Sequence, residues 1–332
     1  MKVSFLVTFY NQKEYIRQCL DSIFNIDFKC DYEVLIGDDG SSDGSIDLIK
    51  EYMHKYSNIK LFTMPRDNTK QYDPVLRASA NRLNLLENSS GDLFCTLDGD
   101  DFYCDASFIN EAIDIFNKHD DVAVVSFGYK YYQDNKYTSE YTLPLEYTNN
   151  YMDKYLYISK DYYVPAGACV HKKLFNKDRI DYLKKLKHFD DNDILINTLM
   201  YGKMYVVNRP IYAYRQTGTS IYTSMNELEK ALLNVSQMDV NLRIVTDEYK
   251  DAILKRRAYF VSYMYIYRKD LIKVLGKEKI NKYVEVCRNY IPSYCLDIIN
   301  YKSLTRQRRK EIYKIMNYRY KQVIKIYLKK IL

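Results

Sequence analysis

The stretch CTLDGDDFY, residues 95–103, sets three carboxylates, Asp98, Asp100 and Asp101, within four positions at the end of an apolar run. Carboxylates this close repel one another and are costly to desolvate. Such a cluster suits either a solvated turn after a strand or a site that meets a cation. Mg²⁺ or Mn²⁺ binds through oxygen and keeps waters and phosphate oxygens, so one or two protein carboxylates are enough. A cation there would offset the repulsion and stabilise negative charge gathering on a diphosphate leaving group.

Two further polar stretches could do chemistry. EVLIGDDGSSDGS (33–45) follows a second apolar run. Its D-G-S turn is ordinary turn chemistry, yet a carboxylate at Asp39 can accept a hydrogen bond from a nucleobase imino group, with Asp98 then taking ribose hydroxyls. FDDNDILINTL (189–199) reads as an acidic helix start carrying Asp190, Asp191 and Asp193. Successive helical residues point about 100° apart, so only one of Asp190 and Asp191 can face a substrate. Charges that merely complement the helix dipole are the alternative.

The elements that must position these groups alternate through the first hundred residues. VSFLVTF (3–9), YEVLIG (32–37), IKLFTM (59–64) and GDLFCTL (91–97) have the apolar, β-branched character of strands. Between them lie helical patterns: Tyr15, Ile16, Cys19, Leu20 and Ile23; Ile46, Ile49, Met53 and Tyr56; and the segment Pro74 to Glu87. Asn11 and Glu14 have the spacing of an N-cap and its reciprocal partner for the first helix. Alternation of this kind predicts an α/β fold with a mostly parallel sheet, whose ligands bind beyond the carboxyl ends of the strands. Thr8 to Asn11, Asp38 to Ser42 and Asp98 to Asp101 all fall at that edge. Further strands are predicted at VAVVSFGYKYY (122–132), within VPAGACVHKKLF (164–175) and at MYVVNRPIYAYRQ (204–216), and helical signals dominate from about Glu227. A boundary near residue 225 divides the chain into regions 1–225 and 226–332.

Composition narrows the partners. With 332 residues, 47% hydrophobic and 28% charged, the chain reads as an ordinary globular protein with room for a sizeable core. A net charge of +7 suits an anionic partner without choosing one. The seven cysteines include no C-x-x-C pair, so neither a zinc site nor a disulfide framework is expected. No secretory h-region or run of about 18 apolar residues occurs, and the reducing cytoplasm is the expected location. The segment 304–332 is dense in Lys and Arg with an apolar stripe that includes Ile312, Ile315, Ile324, Leu328 and Ile331. It reads as a helix packed on the protein or a basic surface touching anionic lipid at the inner face of the cytoplasmic membrane. No motif supports nucleic-acid binding.

VSFLVTFYNQKEYIRQCLDSI, EVLIGDDGSSDGS, RASANRLNLL and GDLFCTLDGDD, followed by DDNDILINTLMYGKMYVVNRPIYAYRQTGTSIY, stand in an order and spacing that resembles the family 2 glycosyltransferases of GT-A fold. The resemblance covers about residues 1–222. It implies a catalytic domain over 1–225 with a helical C-terminal extension, and inverting transfer of a sugar from a nucleotide-sugar, with a UDP-sugar expected, aided by Mg²⁺ or Mn²⁺. The implied acceptor is a glycan or lipid-linked hydroxyl of a bacterial surface polymer such as capsule or lipopolysaccharide. Carried over by position, the Thr8–Phe9–Tyr10 stretch lines the nucleoside pocket, Asp39 meets the base, Asp98 lies near the ribose and Asp100 ligates the metal. Asp191 matches the general base, and Arg215 is a candidate diphosphate contact or a surface ion pair. Asp190 departs from the family pattern, which has Glu there, and Gln216 stands where some relatives place a metal-binding His. The absence of tryptophan, and with it of the Q-x-x-R-W motif of processive synthases, favours transfer of a single residue. Two rivals are a sugar-phosphate nucleotidyltransferase, against which TFYNQKE lacks the expected glycine-rich loop, and a non-catalytic carbohydrate-binding protein on the same fold.

Overall fold

The computed structural model describes residues 1–67, 69–70, 72–160, 162–186, 189–218, 225 and 227–266. The chain divides into two compact units, one of Met1–Ser224 with Asp239–Ile253, the other of Met225–Met238 with Leu254–Leu332. The expected basic tail contact, 304–332, lies outside the described residues.

The first unit begins with strand β1 (Val3–Phe9), helix α1 (Lys13–Phe24), β2 (Tyr32–Asp38), α2 (Ser45–Lys55), β3 (Ile59–Thr63), α3 (Pro74–Asn88) and β4 (Leu93–Asp98). There follow β5 (Phe102–Tyr103), α4 (Phe108–Lys118), β6 (Val122–Gln133), β7 (Lys136–Tyr141), β8 (Asn150–Met152) and α5 (Lys154–Ser159). The remaining elements are β9 (Cys169–Lys172), α6 (Lys177–Leu186), α7 (Asp191–Leu199), β10 (Lys203–Arg215), α8 (Glu227–Ile244) and α9 (Asp247–Ile266). Among the described residues ten strands form one sheet with the path β3-β2-β1-β4-β9-β6-β10-β5, while β7 pairs with β6 and β8 with β10. β3, β2, β1 and β4 run parallel, and so do β6 and β10; β9 joins the two sets antiparallel to both of its neighbours. Among the described residues no helix is long and apolar enough to cross a membrane.

Local sequence explains why this sheet forms. Every residue of β1 is buried, as expected of a central parallel strand covered on both faces. In α1 the buried residues Ile16, Cys19, Leu20 and Ile23 recur at the i, i+3, i+4 and i+7 spacing of one helical face. Asp73 caps α3 by accepting from the Val75 and Leu76 amides, and Pro74 occupies the first turn, where no backbone donor is needed. The expected Asn11 cap of α1 does not form, because Gln12 is the N-cap position and makes no side-chain cap. Asn11 sits instead in the left-handed region with φ 50°, which an Asn tolerates. Its side-chain oxygen accepts the Ser42 amide at 2.9 Å, so it ties the end of β1 to the turn after β2.

Strand order reverses about β1: the chain moves from β1 outward through β2 to β3, then crosses back to β4 on the other side. This switch point opens a crevice at the carboxyl ends of β1, β2 and β4. Gly99 lets the end of β4 close over it, since a Cβ there would stand 2.7 Å from both Phe9 Cβ and Gln12 Oε1.

Candidate active site

Thr8, Asp38 and Asp98 close the three strands that meet at the crevice. Thr8 and Asp98 are paired in register across β1 and β4, and the Thr8 hydroxyl donates to Asp98 Oδ1 at 2.7 Å. Phe9 is buried and contributes its carbonyl, which accepts the Asp39 amide at 3.0 Å. Tyr10 projects outward, 41% exposed.

Asp39 is buried between two arginines. Arg66 Nη2 is paired with one carboxylate oxygen and Arg77 Nη2 with the other, while Arg66 Nε donates to the Asp39 carbonyl at 2.6 Å. The Arg66 guanidinium lies 3.7 Å from the Tyr10 ring centroid and 5.5 Å from that of Tyr72, and Arg77 lies 4.7 Å from Tyr72. This arrangement is a carboxylate with flanking guanidinium donors beside an exposed aromatic face, which suits a flat heterocycle carrying both an N–H and carbonyl oxygens. Arg66 is signalled in the sequence only by its charge, and Arg77 also by its place at the start of RASANRLNLL.

The three carboxylates of CTLDGDDFY have different environments. Asp101 is buried, accepting the Tyr212 hydroxyl and, at 2.7 Å, the Arg215 amide. Burial first, then the charges of Asp100 and Asp98, push its carboxyl well up. It therefore fastens β10 to the end of β4 and is not available to a ligand. Asp100 is partly exposed, and burial together with the neighbouring Asp98 charge pushes its carboxyl up to about 6. A carboxyl raised by burial and by a like charge is one whose ionised form a bound cation would favour. Among the described residues no group of three or more His, Cys, Asp or Glu is disposed to hold a metal ion. The donor set fits a divalent cation that takes one or two carboxylates and completes its shell with phosphate and water oxygens, not an all-protein cage.

Arg215 faces inward. Nε donates to the Asp100 carbonyl at 2.6 Å and Nη2 to Gln18 Oε1 at 2.6 Å. The guanidinium stands 4.7 Å, 4.9 Å and 5.4 Å from the ring centroids of Tyr15, Tyr132 and Phe102. These contacts hold the turn that carries Asp100.

The acidic start of α7 separates by position. Asp190 is the N-cap: its side chain accepts the Asp193 amide at 3.1 Å, and Asp193 accepts the Asp190 amide at 3.0 Å. This reciprocal capping box explains why an Asp, a good N-cap residue, stands at 190. Asp193 is fully buried and also accepts from Asn241 of α8. Asp191, the first helical residue, points to the crevice. One oxygen lies 3.6 Å from Arg82 Nη2, and the other accepts from the Tyr163 hydroxyl and the Ala166 amide, both at 3.4 Å. Burial pushes its carboxyl up to about 6 against the opposing pull of Arg82. A buried carboxyl titrating near neutrality, close to a second carboxylate across a crevice, suits proton abstraction.

Arg82, on α3, was not singled out from the sequence. Its Nη2 donates to both oxygens of Asp98, at 3.1 and 3.2 Å, as well as facing Asp191. The only advance signal was its place within RASANRLNLL.

Residues 4–182, more than half of the chain, match the model of glycosyl transferase family 2. Over 60 residues it is 42% identical to a poly(ribitol-phosphate) beta-glucosyltransferase of Bacillus spizizenii, covering 18% of this chain and 10% of that protein. The matched segments span between a tenth and about a third of the first curated relatives. Among solved structures, residues 1–349 of S. aureus TarS in complex with UDP-GlcNAc align with TM-score 0.61 and 15% identity, covering 97% of this chain and 92% of that one. The mannosyltransferase PcManGT of Pyrobaculum calidifontis, in complex with GDP-Man and Mn²⁺, aligns with TM-score 0.51 and 14% identity over 94% and 83% of the two chains. These likenesses establish the fold, which is the GT-A arrangement expected from the sequence.

Proposed function

Given that this chain belongs to glycosyl transferase family 2, we propose that it transfers one sugar from a nucleotide-sugar to a hydroxyl of a bacterial surface glycan or glycolipid, with inversion at the anomeric carbon. The observation that carries this reading is the position of Asp191, a carboxyl titrating near 6, across the crevice from Thr8 and Asp98 and joined to Asp98 through Arg82. The donor is a UDP-sugar. Support comes from the likeness to TarS, whose structures hold UDP and UDP-GlcNAc, and from the chemistry of Asp39 with Arg66 and Arg77. A uracil ring presents one N–H between two carbonyls. Asp39 would accept the N–H with a lone pair that the arginines leave available, since a carboxylate has about four acceptor sites. Tyr10 would support the ring, and Asp98 would take ribose hydroxyls.

In the transfer step Asp191 takes the proton of the acceptor hydroxyl as its oxygen bonds to the anomeric carbon. The bond from that carbon to the diphosphate breaks, and its electron pair leaves with the nucleoside diphosphate. Asp100 would hold Mg²⁺ or Mn²⁺, which when bound neutralises charge developing on the diphosphate. Arg215 keeps the Asp100 turn in place. Contact of the 304–332 segment with an anionic membrane would bring the enzyme to a lipid-linked acceptor.

Nucleotide binding tests the reading. UDP with Mn²⁺ should raise the melting temperature as a ligand of the folded state does, and ATP should not. Screening UDP- and GDP-sugars for metal-dependent hydrolysis would then identify the donor. Stabilisation by GDP and not UDP would overturn the assignment of the base. Failure of every nucleotide to bind would overturn the transferase reading itself.

A further inference from the structure

Arg82 is two-sided in a way the transfer reaction alone does not require. Its guanidinium belongs to α3, yet it meets the end of β4 and the start of α7, two elements that do not adjoin in sequence. Its side chain is 13% exposed, that of Asp191 21%, and that of Asp98 40%. A largely buried guanidinium stays charged, and removing one partner of such a pair leaves the other uncompensated.

We infer that Arg82 is a positioning residue that ties the nucleotide-side carboxylate Asp98 to the base Asp191 and supplies the counter-charge that keeps Asp191 ionised. The inference rests on the reading of Asp191 as the base. Three observations lead to it. Among the described residues facing Asp191, Arg82 is the one cation: the others are Asp98 from β4, Tyr163 before β9, Cys169 of β9, Tyr212 and Tyr214 of β10, and its own neighbour Asp190. Carboxyl, phenol and thiol groups are neutral or negative in either protonation state, so none of these replaces the guanidinium. Next, among the described residues Asp191 has only the two 3.4 Å contacts besides Arg82 to fix its rotamer. Finally, α3 is anchored to two other elements in the turn just ahead of Arg82. The Ser79 hydroxyl accepts the Phe189 amide at 2.9 Å, two residues before Asp191, and Asn81 Nδ2 donates to the Gly37 carbonyl at 2.8 Å. The helix that carries the guanidinium is thereby fixed to the strand end on one side and to the approach to α7 on the other.

The test uses the full chain with aspartate labelled at the carboxyl carbon. The Asp191 signal is assigned by its loss in Asp191→Asn and followed through a pH titration, which needs neither donor nor acceptor. Arg82→Gln is expected to raise the Asp191 midpoint by a unit or more, which means a tenfold or greater loss of the ionised form below it. Arg82→Lys, which keeps a charge, is expected to stay closer to the native midpoint and covers the case in which the Gln variant does not fold. In transfer assays Arg82→Gln should be most impaired near neutral pH and recover as pH rises toward about 9, with UDP affinity changed by less than the rate. An unchanged Asp191 midpoint in both variants, or a loss of rate equal at every pH, would overturn the inference. If instead the midpoint shifts as expected but Asp191→Asn remains an active transferase, Arg82 does hold Asp191 and the assignment of the base is what fails.

Discussion

Asp190 and Asp193 exchange hydrogen bonds with each other's backbone, at 3.1 and 3.0 Å, and so close the first turn of α7. That exchange commits both flanking carboxylates to the helix and leaves Asp191 as the acidic residue of the turn that faces the crevice. The two neighbours 190 and 191 should therefore respond in opposite ways to the same chemical change. Asp191→Asn is expected to lower transfer by about 10²- to 10⁴-fold while UDP affinity stays near native. Asp190→Asn should keep most activity, since Asn is also a good N-cap, and Asp190→Ala should cost about 1 kcal/mol of stability. Denaturation midpoints and single-turnover rates of the three variants check this, and a dead Asp190→Asn with an active Asp191→Asn would exchange the roles.

Metal dependence should track Asp100. Asp100→Ala is expected to fold, because its side chain lies at the partly exposed end of the turn, and to lose about 10²-fold or more of the metal-stimulated rate. Full activity of the native protein in excess chelator would remove the cation from the reaction.

The pH profile follows from two carboxyls held near 6 in the folded protein, Asp191 and Asp100. In the proposed reaction both act as carboxylates, one accepting a proton and the other binding a cation. Activity should therefore be low at about pH 5, rise through about pH 6 and level off above about pH 7. Both pKa values are raised relative to ordinary Asp, so the acid limb lies two units above where an unperturbed Asp would put it. Saturating metal should move the limb downward, because cation binding opposes protonation of Asp100. A plateau extending down to about pH 4.5 would contradict these environments.

Asp101 should behave as a structural residue despite standing beside Asp100. Asp101→Ala leaves the Tyr212 hydroxyl and the Arg215 amide without their acceptor in a buried setting. The expected loss of stability is about 1–3 kcal/mol, with Tyr212→Phe showing a smaller loss. Chemical denaturation distinguishes this from an effect on rate alone.

The basic segment 304–332 should bring the full chain onto anionic vesicles at low salt, less at high salt, and not onto neutral ones. Cosedimentation with the two vesicle types measures this directly, and equal binding to both would leave only a packing role.

Much of this was readable in the sequence because it is local. Runs such as VSFLVTF and YEVLIG declare strands by composition, the face formed by Ile16, Cys19, Leu20 and Ile23 declares a helix by period, and alternation of the two dictates a parallel sheet with its polar ends at one edge. Placement of Thr8, Asp39, Asp98 and Asp100 at that edge follows from the chain direction of parallel strands alone. Partners were not local. Asp39 meets Arg66 and Arg77, 27 and 38 residues away; Asp101 meets Tyr212, 111 residues away; and Arg82 joins Asp98 to Asp191. A hydrophobic pattern specifies which side of an element is buried, but a charged side chain at its edge finds its partner only when remote elements dock. Asn11 shows the same limit from the other direction: its spacing to Glu14 fits a capping box, but a left-handed backbone at the end of β1 turns its side chain to Ser42 instead. The sequence determined where carboxylates would gather, and tertiary packing decided which of them are held in the protein and which face the crevice.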